Sequence, residues 1–551
     1  MANPTLSQKK INTLTITKDA KKIFQTIYRE QNKVEKDDED IPKIKVSDLI
    51  SKMSFYYEKI RNTMEYNEDH LLRKNAIERI LKRHIIIEGA IKESKTEEIA
   101  KHLLTELIRA AYLPNGKIHE AKIHEISQII AKYIKLKKYL SENVETSSKI
   151  KNDLNRRILN WAASDLEERL GLSMTNKTVT DGMYNTLVDI IILPEGSDYQ
   201  QDKNIQIYLS IYRSYLKFDL DMLSYIVFKY YFPTWDNAKE GDIDDVGDQL
   251  IDVAKKIDFQ ISHPLAGQLN RVISRYTVFF AILVDVVDDN PVSTYEKIKN
   301  DPKAFPRLIR RKCERRYRGV RAKLWRAAVR SILYIFVTKS IFAVILEVPL
   351  IQWFGEDLNM MTLAVNISFP AILLFVIVFF SKTPSRNNTE KVVEGINEIV
   401  FDEKMRKDPY RLRRPAKRSV FMNSVFGMIY AVTFFLSFGF IIWGLGEMGF
   451  NFVSITIFLF FLALVSFFSI RIRKSIKELI VVEPKENILT LFGDFFYTPV
   501  IAAGKWLSEK FSRINVFVFI LDFIIEAPFK IFVELAEEWT KYVRERRDEI
   551  V

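Results

Sequence analysis

Residues 331–351 read SILYIFVTKSIFAVILEVPLI, and the composition of this stretch decides the class of the protein. Thirteen of these residues are Ile, Leu, Val or Phe, and at about −0.5 kcal/mol each they outweigh one central lysine at about +3 kcal/mol. A helix of about 20 residues rises about 30 Å, which matches the hydrocarbon core of a bilayer. The stretch therefore predicts a membrane-spanning helix, although it contains Lys339 and Glu347.

Three more apolar stretches of similar length follow, at 362–380, 421–443 and 452–470. A buried helix of a soluble domain is usually shorter and carries a polar stripe, so four membrane spans are the better interpretation. The 551 residues include only 18 Gly and 17 Pro, fewer than collagen-like, low-complexity or turn-rich β proteins contain. A single cysteine excludes an intramolecular disulfide framework. The sequence predicts an all-α protein with a four-span polytopic membrane bundle.

The distribution of Lys and Arg predicts the orientation of these spans. The connections 352–361 and 444–451 contain neither residue type, whereas 307–330 carries eleven with one acidic residue and 382–420 carries eleven with six. Because basic residues resist translocation, the basic segments are expected on the cytoplasmic side. We therefore expect a protein of the cell membrane with cytoplasmic N- and C-termini.

The basic segment 307–330 is also the expected contact with the anionic phospholipids of the bilayer. Each basic residue near such a surface contributes about 1 kcal/mol of attraction. The formal net charge of +12 is concentrated beside the spans, which argues against nucleic acid as a partner. The residues expected to bind lipid are Arg307, Arg310, Arg311, Lys312, Arg315, Arg316, Arg318, Arg321, Lys323, Arg326 and Arg330.

Amphipathic helical periodicity dominates the chain before the spans. For example, Leu104, Leu107 and Ile108 recur on one helix face. We expect eight segments, and no strands in the helical arrays. These segments are a flexible charged lead-in at 1–42, a first cytoplasmic helical array at 43–171, a second, acidic and aromatic-rich helical region at 172–306, the basic juxtamembrane segment at 307–330, a first transmembrane pair at 331–381, a basic cytoplasmic loop with an amphipathic helix at 382–420, a second transmembrane pair at 421–470, and a cytoplasmic tail with interfacial helices at 471–551.

Lys339 and Glu347 are the strongest site candidates, because charge inside a membrane is costly and usually has a reason. They are eight residues apart, about 12 Å along a helix axis, so we expect them not to pair within one helix. Lys339 is expected to lean towards the cytoplasmic side. The other spans offer three polar partners, Asn366, Ser368 and Thr433. In the third span, Gly427 and Ala431 are four residues apart and predict a close helix–helix contact.

Two apolar segments after the last span are too short and too charged to be predicted as further spans. We expect 489–503 and 514–529 to lie in the membrane interface, with re-entry or crossing left open. Asp522 and Glu526 share a helix face at positions i and i+4. They predict a narrow polar face on an interfacial helix, with proton or cation handling as the alternative.

Three other motifs fall short of a catalytic or metal-binding pattern. His119 and His124 are five residues apart, about 140° out of register for an H-E-x-x-H zinc site. The stretch 242–253 lacks two of the oxygen ligands of a calcium loop. Cys313 lies among basic residues, which predicts a lowered pKa and a reactive thiol, but without a nearby histidine it does not resemble a catalytic nucleophile. We expect no catalytic residue, no metal and no cofactor.

The sequence favours a membrane-anchored helical scaffold or regulatory protein whose arrays bind a cytoplasmic protein. The alternative is a transporter or channel subunit that uses Lys339 and Glu347. Such a subunit would be a homo-oligomer, because four spans enclose little room for a pathway. A membrane enzyme of an unrecognised type is a third interpretation.

Overall fold

The computed structural model describes residues 15–32, 42–65, 68–84, 96–301, 303–381, 383–406, 408–415, 419–482 and 487–513, together with single positions between 532 and 547. They belong to two compact units. The array unit comprises Ile16–Thr277, Met405–Arg414 and Val516–Val551, and the bundle unit comprises Met1–Thr15, Val278–Lys404 and Pro415–Asn515.

The described chain is mostly helical and contains almost no strand, which confirms the all-α prediction. Its first part forms α1 (Lys18–Gln31), α2 (Asp48–Glu65), α3 (Asp69–Lys82), α4 (Thr96–Arg109), α5 (Ala121–Asn143), α6 (Ser148–Gly171), α7 (Met174–Ile190), α8 (Lys203–Ser214), α9 (Leu220–Tyr231), α10 (Glu240–Ile261), α11 (Ala266–Asp289) and α12 (Pro291–Asn300). Its second part forms α13 (Ala304–Phe342), a π-helical turn (Ala343–Glu347), α14 (Val348–Trp353), α15 (Met360–Phe379), α16 (Arg386–Val400), α17 (Val420–Glu447), α18 (Phe452–Lys477) and α19 (Ile488–Arg513).

One short strand pair departs from the expectation of an array without strands. Two-residue strands, β1 (Ile191–Ile192) and β2 (Tyr410–Arg411), pair in parallel within the array unit. The partners are more than 200 residues apart in the chain, so local periodicity carries no signal for them.

The acidic stretch that begins at Asp242 lies inside α10, where the Asp242 carboxylate accepts a hydrogen bond from the Lys239 amide. That stretch is therefore the start of a helix rather than an open calcium loop.

A continuous hydrophobic core runs through the array unit. Trp161 stacks on Phe228 with 4.5 Å between ring centroids, and Trp235 packs edge-on against both Phe228 and Tyr133. The indole of Trp235 donates to the Tyr133 hydroxyl, so this large aromatic cluster leaves its polar atoms satisfied. Core residues extend from Ile44 to Ile257. The core therefore crosses position 172, where the sequence suggested a boundary between two arrays.

Four helices in the described chain are long and apolar enough to cross a membrane, as predicted. They are the continuous helix Ala304–Trp353, then Met360–Phe379, Val420–Glu447 and Phe452–Lys477. The basic segment 307–330 forms the first half of the helix that continues into the first candidate span.

Polar caps and glycine turns set the ends of these helices. Asn359, Ser419 and Asn451 each accept a hydrogen bond from an amide in the first turn of α15, α17 and α18. Gly355 and Gly449 have φ angles of 72° and 78°, a conformation that costs little only for glycine. They form the turns after α14 and α17, so short connections join each pair of spans.

In the bundle unit, α13 packs against α15 and α18, and α16 packs beside α13. The buried Asn388 side chain of α16 joins three segments. Its amide nitrogen donates to the Tyr317 hydroxyl of α13 and to the carbonyl of Leu479, and its carbonyl accepts from the amides of Val481 and Val482. This one side chain fixes α16 to both α13 and the chain that follows α18.

Candidate functional site

The two charged residues of the first candidate span lie on either side of an interruption in its helix. Lys339 belongs to α13, Ala343–Glu347 form the π-helical turn, and Pro349 follows at the start of α14. Proline has no amide hydrogen, and its ring crowds the carbonyl four residues earlier, which here belongs to Ile345. A π turn directly before the proline accommodates that crowding and places Glu347 at its end.

Lys339 and Glu347 form an ion pair, which corrects the expectation that they are too far apart. The Lys339 Nζ and the Glu347 Oε2 are 3.5 Å apart, and both side chains have no exposed surface. In a regular α-helix eight residues turn about 80° beyond two full turns. The π turn takes more residues per turn and brings both residues to one face. The two side chains then bridge the remaining axial distance.

The Lys339 ammonium also contacts the faces of two aromatic rings. It lies 4.1 Å from the ring centroid of Phe461 on α18 and 5.6 Å from that of Phe342 on its own helix. Ring faces carry partial negative charge and replace some of the lost hydration of a buried cation. The side chain thus reaches into the bundle, whereas the sequence suggested that it leans towards the cytoplasmic surface.

Glu347 is held by side chains from two further helices. Its Oε1 accepts hydrogen bonds from the Asn366 amide of α15 and, at 3.0 Å, from the Ser454 hydroxyl of α18. The Asn366 amide also donates to the Ser454 carbonyl at 3.2 Å. The carboxylate therefore connects α13, α15 and α18. We call Lys339, Glu347, Asn366 and Ser454 the buried polar network.

The buried polar network contains one of the three polar partners that the sequence offered and one that it missed. Asn366 is a partner of Glu347, whereas the hydroxyls of Ser368 and Thr433 donate to carbonyls of their own helices. Ser454 was missed because it lies in the first turn of α18, where a short polar side chain is ordinary. Its amide donates to the Asn451 cap at 2.8 Å, and that contact fixes the position of the turn.

The small residues of the third candidate span make no close contact within the described chain. Gly427 and Ala431 are exposed, and a Cβ added at Gly427 would have no neighbour within 4 Å. The close approach occurs instead at Gly504 of α19, where an added Cβ would collide with the carbonyl oxygen of Ala463. Ala463 is near the middle of α18. The close helix–helix contact predicted at Gly427 and Ala431 is therefore not found there, and α18 and α19 make a close backbone contact instead.

The contact at Gly504 bears on the segment 489–503, for which we expected an interfacial helix. This segment is part of α19, which packs against α17 and α18. A helix that meets only the membrane surface would not reach the middle of α18. The contact places α19 beside the middle of α18 within the bundle unit, and the position of 489–503 relative to the bilayer stays a prediction. The segment 514–529, with Asp522 and Glu526, lies outside the described residues.

The burial of Cys313 argues against the lowered pKa and the reactive thiol predicted for it. Its thiol is fully buried in α13, eighteen residues before the first apolar stretch begins. Burial raises the pKa of the Cys313 thiol to about 11, although the Tyr317 hydroxyl and the Arg316 guanidinium act in the opposite direction. The sequence revealed the basic neighbours but not the helix face on which the thiol lies.

The basic residues of 307–330 divide into two groups. Four form ion pairs within the bundle unit: Arg307 with Asp301, Arg310 with Glu390, Lys312 with Asp289, and Arg316 with Asp285. The other seven are exposed and form no ion pair with a described residue; they are Arg311, Arg315, Arg318, Arg321, Lys323, Arg326 and Arg330. Lipid binding therefore stays a prediction for this second group, while the first group is occupied by carboxylates.

Comparison with known proteins assigns no function to the buried polar network. No protein-family model, no curated protein and no solved structure matches the chain.

Proposed function

We propose that the protein is a multi-pass membrane anchor for a helical scaffold or regulatory unit, with both termini in the cytoplasm. The observation that carries the proposal is the buried polar network. A charge kept for transport must be reached by a substrate or ion, whereas Lys339 and Glu347 have no exposed surface and contact protein groups from three helices. Such a network positions helices.

The array unit supports the scaffold part of the proposal. A core that extends from Ile44 to Ile257 gives a large, rigid helical body. Its surface carries large apolar side chains, with exposed fractions of 63% for Tyr56 and Leu220 and 51% for Tyr230. Aromatic side chains are enriched among the residues that dominate protein–protein binding. We infer that the array unit binds a cytoplasmic protein.

A photo-crosslinking amino acid tests this inference in the full chain. Placed at Tyr56, Leu220 or Tyr230, it should give discrete protein adducts in cells. Placed at Trp443 of α17, which is 63% exposed, it should give lipid adducts, because indole rings of spans prefer the membrane interface. Absence of protein adducts at all three array positions would contradict the scaffold proposal.

The proposed orientation is tested with single cysteines in a Cys313→Ala background. Asp357→Cys lies in the connection after the first span, and Asn387→Cys lies at the start of α16; both positions are exposed. A membrane-impermeant maleimide should label Asp357→Cys in intact cells and Asn387→Cys only after lysis. The reverse pattern would place the array unit outside the cell and overturn the proposal.

A transporter or channel subunit is the second candidate, and one feature favours it. The first candidate span is interrupted by the π turn and Pro349, and α15 contains Pro370. Interruptions of this kind are frequent at functional sites of membrane helices. In proteoliposomes, this candidate requires a proton or cation flux that disappears in the Lys339→Leu/Glu347→Leu double variant. The scaffold proposal predicts no such flux and unchanged adducts at the array positions.

A further inference from the structure

A cluster of two histidines and a glutamate lies where α3 meets α4 in the array unit. His84 lies in a short π-helical segment directly after α3 and is 8% exposed. His102 and Glu106 lie one turn apart on α4, and both are half-buried. The rings of His84 and His102 meet edge to face with 4.8 Å between their centroids. Two neighbouring helices thus direct three potential ligands to one point.

The spacing of these ligand atoms is close to what a single metal ion requires. One nitrogen from each histidine and one oxygen of Glu106 all lie within 4.8 Å of one another. Tetrahedral ligands at 2.0–2.2 Å from a zinc ion are separated by about 3.4 Å. Ligand atoms in the cluster therefore have to approach one another by at most about 1.4 Å to reach this spacing.

The ligand types select the class of metal. Imidazole nitrogens suit zinc and neighbouring transition metals, whereas calcium and magnesium prefer oxygen ligands alone. Two histidines and one glutamate are a known set of three protein ligands for zinc, with water at the fourth position. We propose that His84, His102 and Glu106 bind a divalent transition metal of the zinc class, which clamps α3 to α4. This proposal rests on the array unit alone and does not depend on the proposed function.

One cation already competes for the glutamate. The Arg83 guanidinium lies 3.2 Å from the Glu106 Oε1, and His102 Nδ1 lies 3.3 Å from the same oxygen. Metal binding replaces the Arg83 contact with a metal–carboxylate bond, so Arg83 and the metal exclude each other at that oxygen. Removing the guanidinium also removes a positive charge beside the site. The Arg83→Gln variant is therefore expected to bind the metal more tightly than the wild type.

The chain offers a matched control on a neighbouring pair of helices. His124 on α5 lies 3.3 Å from Glu97 on α4, and both side chains are 68% exposed. This pair repeats the chemistry of the cluster but lacks the second histidine. A histidine that binds metal nonspecifically at the surface would behave like His124, whereas a built site depends on His84 and His102.

The test is a titration of the purified full chain with Zn²⁺ by calorimetry and with Co²⁺ by visible absorption. We expect one tight equivalent, a tetrahedral Co²⁺ spectrum, and a higher thermal midpoint with metal. The His102→Gln variant should lose at least about tenfold in affinity together with the Co²⁺ spectrum. His124→Gln should keep both.

The Arg83→Gln variant shows whether a change near the site acts through metal binding or through loss of the fold. A misfolded protein does not gain affinity for the metal. Severalfold tighter binding by Arg83→Gln, together with the loss in His102→Gln, supports the site. Equal affinity in the wild type and His102→Gln, or an equal loss in His124→Gln, would overturn the proposal.

Discussion

Each unit of the molecule buries a lysine, and the two lysines are neutralised in different ways. Lys74 in the array unit is 1% exposed and faces three carboxylates, with Nζ–oxygen distances of 2.9 Å to Asp221, 3.2 Å to Asp219 and 3.6 Å to Glu78. Lys339 in the bundle unit has no exposed surface and faces one carboxylate, that of Glu347. The Lys339 ammonium also lies over the rings of Phe342 and Phe461.

The difference follows from what lies around each site. The carboxylates around Lys74 have 30% to 40% of their side-chain surface exposed, so water stabilises their excess negative charge. No exposed carboxylate surface is present at Lys339, and an excess charge of either sign in an apolar bundle is costly. A neutral one-to-one pair is therefore the stable solution there. We therefore expect the array unit to tolerate the loss of one charge better than the bundle unit does.

The largest effect is expected from breaking the pair in the bundle unit. Replacing Glu347 by Leu leaves the Lys339 ammonium buried without a countercharge and removes the acceptor for Asn366 and Ser454. We expect a loss of about 3–5 kcal/mol in the free energy of unfolding, measured as reversible unfolding in detergent. Glu447→Leu at the exposed end of α17 is the control and should cost less than about 0.5 kcal/mol.

A smaller effect is expected at the lysine of the array unit. Lys74→Met keeps most of the buried volume and leaves three carboxylates that water can solvate. The lost charged hydrogen bonds predict a cost of about 2–3 kcal/mol. The fluorescence of the buried Trp161 and Trp235 reports this unfolding transition. A cost as large as that of Glu347→Leu would contradict the proposed difference between the units.

The difference in stability between the wild type and Lys74→Met is expected to depend on pH. Burial lowers the pKa of Lys74, but the three carboxylates outweigh it, so the pKa is raised above its usual value near 10.5. A raised pKa in the folded state contributes stability that is complete below the unfolded pKa and is lost as the pH rises through the folded pKa. Wild-type stability should therefore fall above about pH 10.5, and Lys74→Met should lack this part of the decline.

Glycine positions extend the comparison from charge to packing. An alanine Cβ at Gly504 of α19 meets the Ala463 backbone, whereas at Gly247 of α10 the atoms it meets belong to a side chain, the ring of Tyr139. We expect Gly504→Ala to cost about 1–2 kcal/mol and Gly247→Ala to cost less. Gly427→Ala, with open space around it, should be neutral or slightly stabilising. Equal thermal midpoints for all three variants would show that α19 does not pack on α18.

The smallest effect concerns Cys313. It is a difference in the rate of thiol labelling and not in the free energy of unfolding. Because burial raises the pKa of the thiol to about 11, very little thiolate is present at neutral pH. Maleimide should label the native protein slowly and the denatured protein at the rate of a free thiol. Rapid labelling of the native protein would show that this part of α13 is not packed as described.

Features that depend on amino-acid composition and on hydrophobic periodicity could be predicted from the sequence. Four apolar stretches of sufficient length were found because bilayer thickness sets a minimum length. The importance of Lys339 and Glu347 was also visible, since a charge in an apolar run stands out.

Two kinds of side-chain contact could not be predicted from the sequence. They are contacts that depend on a change of helical phase and contacts with residues that are distant in the chain. The Lys339–Glu347 pair exists because a π turn shifts Glu347 to the face of Lys339, and that turn breaks the assumed rotation of 100° per residue. Burial of Cys313 and the ion pairs of Arg310 and Arg316 depend on segments that fold back from elsewhere in the chain.

If Lys339 and Glu347 stabilise the bundle as a coupled pair, a double-mutant cycle measures their coupling energy. The free energy of unfolding is compared for the wild type, Lys339→Leu, Glu347→Leu and the double variant in the same detergent. We predict that each single change is strongly destabilising, that the double change costs much less than the sum of the two single changes, and that the coupling energy is at least about 3 kcal/mol. Single effects that add within about 0.5 kcal/mol would contradict the claim, because uncoupled residues add in this way.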